Sequence, residues 1–245
     1  EEFPAMRLFA DFLKRRNPAA ACPLSFLVLR SIRPRFPDLL LLVLLGISLV
    51  GVGFAGQGPA RDRTSLSHLS LPDHELLREG DVVLRRGKGI ISESLRHFSL
   101  QDPSYSHAGI LVREQDRWMV VHAIGGEDNP TDKLKKESLA AFCRSDLSSA
   151  MGIIRLDLTP ADRVRLKRIV ESMLEAGPYF DSDFDLASDD RFYCTEFVYK
   201  AVLAATGDRK FLPLTRLSGR EYVACDNLYL NEHARIIYSY SSNRK

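Results

Sequence analysis

Cysteine is scarce in this chain: four in 245 residues, with no CxxC pair and no Cys/His spacing of a zinc site. Net charge is also small. The formal +2 belongs to the first 38 residues, which carry seven Lys/Arg against four Asp/Glu, while everything after Ala60 is close to neutral. No basic stripe is left to serve as an electrostatic footprint, so nucleic acid is not an expected partner. The sequence has no internal repeat, and from Leu39 to Ala60 it has no charge at all.

That last absence organises the chain. Leu39–Ala55 is a seventeen-residue apolar run, at the short end of the roughly 17–25 residues that span a bilayer and long for the roughly 7–15-residue core of a signal peptide. Arg30, Arg33 and Arg35 precede it, which places the N-terminus inside by the positive-inside rule. The expected organisation is a basic cytoplasmic segment (1–38), a transmembrane anchor or signal sequence (39–55), a Gly/Pro/Ser-rich linker (56–75) and one domain (76–245). The expected location is the inner membrane, single-pass, with the domain on the periplasmic side. Secretion after cleavage at Gly53-Phe54-Ala55 is the alternative.

Within the domain, Asp81–Arg85 reads as a first strand and Ile90–Phe98 as a short helix. Ser106–Val112 and Arg117–Ala123 read as a hairpin around Glu114–Arg117, and Gly152–Asp157 as a further strand. Thr159, Pro160 and Asp162 open a helix that Gly177-Pro178 closes, with Leu166, Ile169, Val170, Met173 and Leu174 on one face. A second helix runs from about Cys194 to Ala205, and Arg235–Tyr240 is a last strand. Strands first and helices later predict an α+β fold, with helices on one face of an antiparallel sheet.

Three residues carry chemistry. Cys194 opens the second helix, where unpaired N–H groups and the helix dipole are expected to lower a thiol pKa toward the thiolate; the plain alternative is a buried structural cysteine. His107 begins one arm of the hairpin and His122 ends the other. A turn centred between Glu114 and Gln115 would set them directly opposite, with Cβ atoms ~5 Å apart; as polar residues on a half-exposed strand they would need no function. A thiol, a base and a group that orients the base are the parts of a nucleophilic catalyst. A metal site from the same Cys and two His is the rival, without an evident fourth ligand. Tyr179 follows the Gly177-Pro178 helix end, where its hydroxyl could donate to an oxyanion or its ring could simply pack. Cys143 and Cys225 are candidates for a disulfide in an oxidising compartment. His68, His74, His97 and His233 read as solvated.

The segments EGDVVLRRG, YSHAGILV, RWMVVHA, GPYFD and YCTEFVYKAV, from about Glu79 to Thr206, resemble the permuted papain-like amidases, the YiiX-like group related to NlpC-type cell-wall cysteine peptidases. In the permuted order the histidine strand precedes the cysteine helix. The resemblance implies a circularly permuted papain-like fold, Cys194 as nucleophile, His107 as general base, His122 as the orienting third group and Tyr179 near the oxyanion, with no cofactor. Many permuted members have a carboxylate where His122 stands. The implied function is a cysteine amidase or peptidase acting on a peptide or acyl-amide of the cell envelope. Lecithin:retinol acyltransferase-like enzymes share the order but carry Asn-Cys-Glu-His-Phe where this chain has Tyr-Cys-Thr-Glu-Phe. They supply a lipid-acyl alternative, and a non-catalytic ligand-binding module is the other.

Overall fold

Val82, Val83 and Leu84 are buried on both sides of their strand, as expected of the central strand of a sheet covered on two faces. That strand, β1 (Val82–Gly87), is followed by α1 (Ile90–Arg96), β2 (His107–Glu114), β3 (Arg117–His122), β4 (Lys135–Ser138), α2 (Leu139–Phe142) and β5 (Ser148–Leu156). Then come α3 (Pro160–Ala176), β6 (Tyr179–Phe180), β7 (Arg191–Phe192), α4 (Cys194–Thr206), β8 (Thr215–Leu217), β9 (Arg220–Tyr222) and β10 (Ala234–Ser241). The computed structural model describes residues 68–126, 129–217 and 219–242. The expected cytoplasmic segment, the run Leu39–Ala55 and the linker as far as residue 67 lie outside them. Among the described residues no helix is long and apolar enough to cross a membrane.

Six strands form one antiparallel sheet in the order β10-β5-β1-β2-β3-β4. The pleat sends alternate side chains to opposite layers. Val82, Leu84, Ala108, Ile110, Val121 and Ile154 meet α3 and α4 in the larger core. Val83, Leu111, Val120, Met151 and Ile153 face the other way, against Phe142 of α2 and against Leu69 and Leu77. Helices therefore do not keep to one face, as the strand-then-helix order suggested. The four-residue α2 is too short to announce itself by periodicity, and residues 68–71, read as linker, lie on the domain through Leu69, whose N–H donates to the Cys143 carbonyl at 2.9 Å. Cys143 belongs to this second layer and Cys225 to the first, so the suggested disulfide does not form; both are free and buried.

The α3 boundaries are those the sequence signals specify. Thr159 and Asp162 cap each other reciprocally, Pro160 takes the first turn, and Gly177 ends the helix at φ 62°, a conformation that a side chain disfavours. At the start of β1, Asp81 is clamped by Arg155 of β5 through Nε–Oδ1 at 2.9 Å and Nη2–Oδ2 at 2.7 Å, and also accepts the Arg78 N–H at 2.8 Å. Both partners are largely buried. Asp81→Ala would strand the guanidinium, and the expected loss is about 3–5 kcal/mol of unfolding free energy. A denaturation midpoint shifted by less than the equivalent of about 1 kcal/mol would show that solvent reaches the pair freely.

Candidate active site

The hairpin turns one residue later than its sequence suggests. Ile110 faces Val121 and Glu114 faces Arg117, leaving Gln115-Asp116 as the loop, with Gln115 in a left-handed conformation at φ 54°. His107 and His122 are thus diagonal neighbours instead of directly opposite. A shift of this size in a two-stranded register keeps both rings on one face, and His107 Nε2 lies 2.8 Å from His122 Nδ1. Gly109 makes the approach possible: a Cβ there would meet Val120 Cγ1 at 2.5 Å and His122 Cβ at 3.0 Å.

The row continues across the sheet. Lys135 of β4 pairs with His122, and Glu137, two residues on and on the same face, brings Oε1 to 3.1 Å from His122 Nε2 and Oε2 to 3.0 Å from Lys135 Nζ. The approach to His122 is too oblique for a fully aligned hydrogen bond, so it is chiefly electrostatic. On the opposite flank, Arg85 of β1 is the ladder partner of His107. Its guanidinium lies 4.6 Å from the centre of the Phe142 ring and donates to the Phe142 carbonyl at 2.9 Å. Phe142, fully buried, packs against both imidazoles at 5.5 and 5.1 Å. It seals the pair from water on the side of the second core layer.

Cys194 begins α4 and is held there by its neighbours. Tyr193 accepts the Val223 N–H on its hydroxyl at 3.0 Å, and the Thr195 hydroxyl donates to the Val223 carbonyl at 2.6 Å. The Glu196 carboxylate returns to the Tyr193 N–H at 3.2 Å. Burial pushes Glu196 up to about 7 against the pull of Lys200, 2.9 Å away. The first turn is thus stapled on both sides of the sulfur. Cys194 is 8% exposed and belongs to neither apolar cluster. The N–H groups of Ala108, Thr195 and Cys194 itself are directed at the sulfur, so it lies against the peptide that joins His107 to Ala108.

Electrostatics correct one expectation. Burial raises the Cys194 thiol pKa above its ordinary value, outweighing the backbone N–H groups and Arg85 that favour the thiolate. Burial also takes His107 well below its ordinary value, helped by Arg85 and then His122. His122 is lowered by burial as well, against the carboxylate of Glu137. At neutral pH the Cys194 thiol and the His107 imidazole are therefore both uncharged. Burial would raise Glu137 too, but His122 and Lys135 bring it down to about 2. Because the lowered His122 is uncharged at neutral pH, Lys135 is the full charge that keeps the carboxylate ionised.

The structure brings His107 and His122 into contact and sets Cys194 against the His107–Ala108 peptide. Tyr179 is 55% exposed and carries Lys133 Nζ 5.6 Å from its ring centre, and among the described residues its hydroxyl makes no hydrogen bond to the site. Glu137, Lys135 and Arg85 were not singled out from the sequence. Lys133–Ser138 (KLKKES) shows no apolar alternation that would mark a strand, and only the fold places Glu137 beside the imidazole.

A model of the family described as permuted papain-like amidase enzyme, of YaeF/YiiX type, matches residues 76–217. The fold is similar to the crystal structure of the metalloprotein YiiX from Escherichia coli, with a TM-score of 0.55 and 19% identity, covering 67% of this chain and 98% of that one. At that identity the likeness concerns the fold. No curated protein matches the chain.

Proposed function

Since the chain belongs to the permuted papain-like amidases, we propose that it cleaves an amide bond through a thioester on Cys194, with His107 as base and His122 and Glu137 holding that base. One observation carries this reading: His107 Nε2 lies 2.8 Å from His122 Nδ1, and His122 Nε2 lies 3.1 Å from the Glu137 carboxylate. Ionised Glu137 can only accept, so His122 keeps its proton on Nε2 and offers a lone pair at Nδ1. His107 must then donate from Nε2 across the 2.8 Å contact. The lone pair left on His107 is at Nδ1, the ring nitrogen nearest its own backbone, and the sulfur rests against that backbone.

In the proposed sequence His107 Nδ1 takes the thiol proton as Cys194 Sγ bonds to the carbonyl carbon. The oxyanion is met by the backbone N–H of Cys194 in the first turn of α4. The C–N bond then breaks, and the leaving amine takes the proton from His107. Water, deprotonated by the same nitrogen, attacks the thioester, and the acid departs as the thiol re-forms. The relay replaces the usual third residue by two: His122 passes on the orienting role, and Glu137 supplies the negative charge that steadies a transient imidazolium. Arg85 works in the other direction, favouring thiolate over imidazolium.

The proposed substrate is a peptide amide of the cell envelope, reached by a domain held at the inner membrane through Leu39–Ala55. That part rests on the uncharged run and the arginines before it. The fold neighbour is titled a metalloprotein. Here the facing imidazole nitrogens bind one another, and among the described residues no group of three His, Cys, Asp or Glu is set to hold a metal ion. These residues do not fit a metal, and no step is routed through one. The test of the relay is Glu137→Gln. Turnover should fall on the order of 10- to 100-fold, the scale of outer partners that orient an imidazole, with KM little changed. An unaltered kcat would remove Glu137 from the mechanism.

A further inference from the structure

The segment that joins β9 to β10 touches both halves of the site. Its Val223 anchors the first turn of α4 on either side of Cys194, through Tyr193 and Thr195. Three residues on, the Asp226 carboxyl group accepts the Gln101 N–H at 2.9 Å and, more loosely, the Asp102 N–H at 3.4 Å, both on Oδ2. The Asp226 N–H lies 3.4 Å from the Ser99 hydroxyl, to which it donates. Two tyrosines close this grip. The Tyr222 hydroxyl donates to the Phe98 carbonyl at 2.9 Å, and the Tyr229 hydroxyl donates to the Asp102 carbonyl at 3.0 Å. Tyr229 also meets the edge of Tyr105 at 5.5 Å, and Tyr105 stands two residues before His107.

One short strap thus holds the turn that carries Cys194 and the loop that delivers His107 to β2. The strap is stiff in itself. The Asn227 side chain accepts the Ala224 N–H at 2.7 Å and the Thr215 hydroxyl at 2.9 Å. The N–H groups of Leu228 and Tyr229 close a tight turn onto the carbonyls of Cys225 and Asp226, at 3.1 and 3.2 Å. Asp226 is its least satisfied member: it is 2% exposed, and among the described residues its Oδ1 has no hydrogen-bond partner. A buried polar atom left without a partner destabilises a fold, so core packing alone does not account for a carboxyl group at this place.

We propose that Asp226 is a positioning residue for the reaction: without touching substrate, its strap sets the placement of Cys194 relative to His107. The proposal rests on these two acting as nucleophile and base, and adds what holds them in register. Asparagine would present the same acceptor oxygen to Gln101 and Asp102, whereas alanine presents none.

The test uses the full-length protein and two readouts: kcat and KM for an amide that the wild type hydrolyses, and the pH dependence of Cys194 alkylation by iodoacetamide, followed by peptide-resolved mass spectrometry. In Asp226→Ala, kcat should fall on the order of 10- to 100-fold, the scale of a misplacement of about 1 Å. KM should stay within about threefold, as for an interaction realised in the transition state. The alkylation midpoint should move up, toward that of a buried thiol without its base. Asp226→Asn should keep the wild-type midpoint and a kcat within about threefold of wild type, because the acceptor is retained. Tyr229→Phe removes the bond to Asp102 but keeps the ring, and should move both readouts in the same direction as Asp226→Ala; it decides the matter if Asp226→Ala does not fold. A strap of purely structural value would lower the melting temperature of Asp226→Ala and Tyr229→Phe and leave kcat and the midpoint of the folded protein unchanged. That result overturns the proposal, as does an Asp226→Asn protein as impaired as Asp226→Ala. A wild-type alkylation profile identical to that of His107→Gln would instead remove the nucleophile–base pair on which the strap acts.

Discussion

Turnover of any amide that the wild-type protein hydrolyses should fall at least about 10⁴-fold in Cys194→Ala, since a covalent step cannot survive loss of its nucleophile. Among the described residues no second thiol can stand in. Burial drives Cys143 up to about 12, and it sits in the core layer on the far side of the sheet from α4. Cys225 is raised well above its ordinary value by burial and then by the neighbouring Cys194, and it is packed in the first layer. Substrate should still bind to Cys194→Ala, because the residues on either side stay anchored to Val223. Hydrolysis that persisted within tenfold of wild type would move the nucleophile elsewhere. A protein that bound the substrate and never turned it over, even as wild type, would be the non-catalytic module.

His107→Gln should cost about 10²- to 10⁴-fold in kcat, the range of a positioned general base, with a smaller effect on KM. Glutamine suits the site because its amide can still donate to His122 Nδ1, so the 9%-exposed position is not left with a stranded acceptor. The pH profile gives the sign independently. His107 must be neutral to act, and its pKa lies below the ordinary 6.5, so wild-type activity should rise with pH and reach its plateau before neutrality. The alkaline limit should lie above 9.0, because the thiol is raised. In His107→Gln the acid limb attributable to the imidazole should vanish.

Much of this site could be read from the sequence because its parts sit on strongly patterned elements. The caps around α3, the apolar face of α4 and the two hairpin arms all declare themselves, and so the α+β class and the cross-strand approach of His107 to His122 follow from residues alone. The hairpin register did not, because nothing in Glu114–Arg117 distinguishes a turn at Gln115-Asp116 from one a residue earlier. Glu137 lies on a four-residue edge strand whose neighbours are lysines, and a carboxylate there looks like ordinary surface charge until β4 is paired with β3. The direction of the Cys194 shift departs from the sequence expectation for a related reason. A helix N-terminus can be recognised from local residues, whereas burial is imposed by the fold, and burial is the larger effect. Tyr179 shows the converse, a suggestive position after Gly177-Pro178 whose ring the fold turns toward Lys133.

The central claim is that one imidazole nitrogen governs the reactivity of one sulfur. The direct measurement is the pH dependence of Cys194 alkylation by iodoacetamide in wild type and in His107→Gln. The wild-type rate should follow the imidazole, with its midpoint below 6.5, and the variant should react only as an isolated buried thiol, with its midpoint above 9.0. Superimposable profiles for the two proteins would contradict the account.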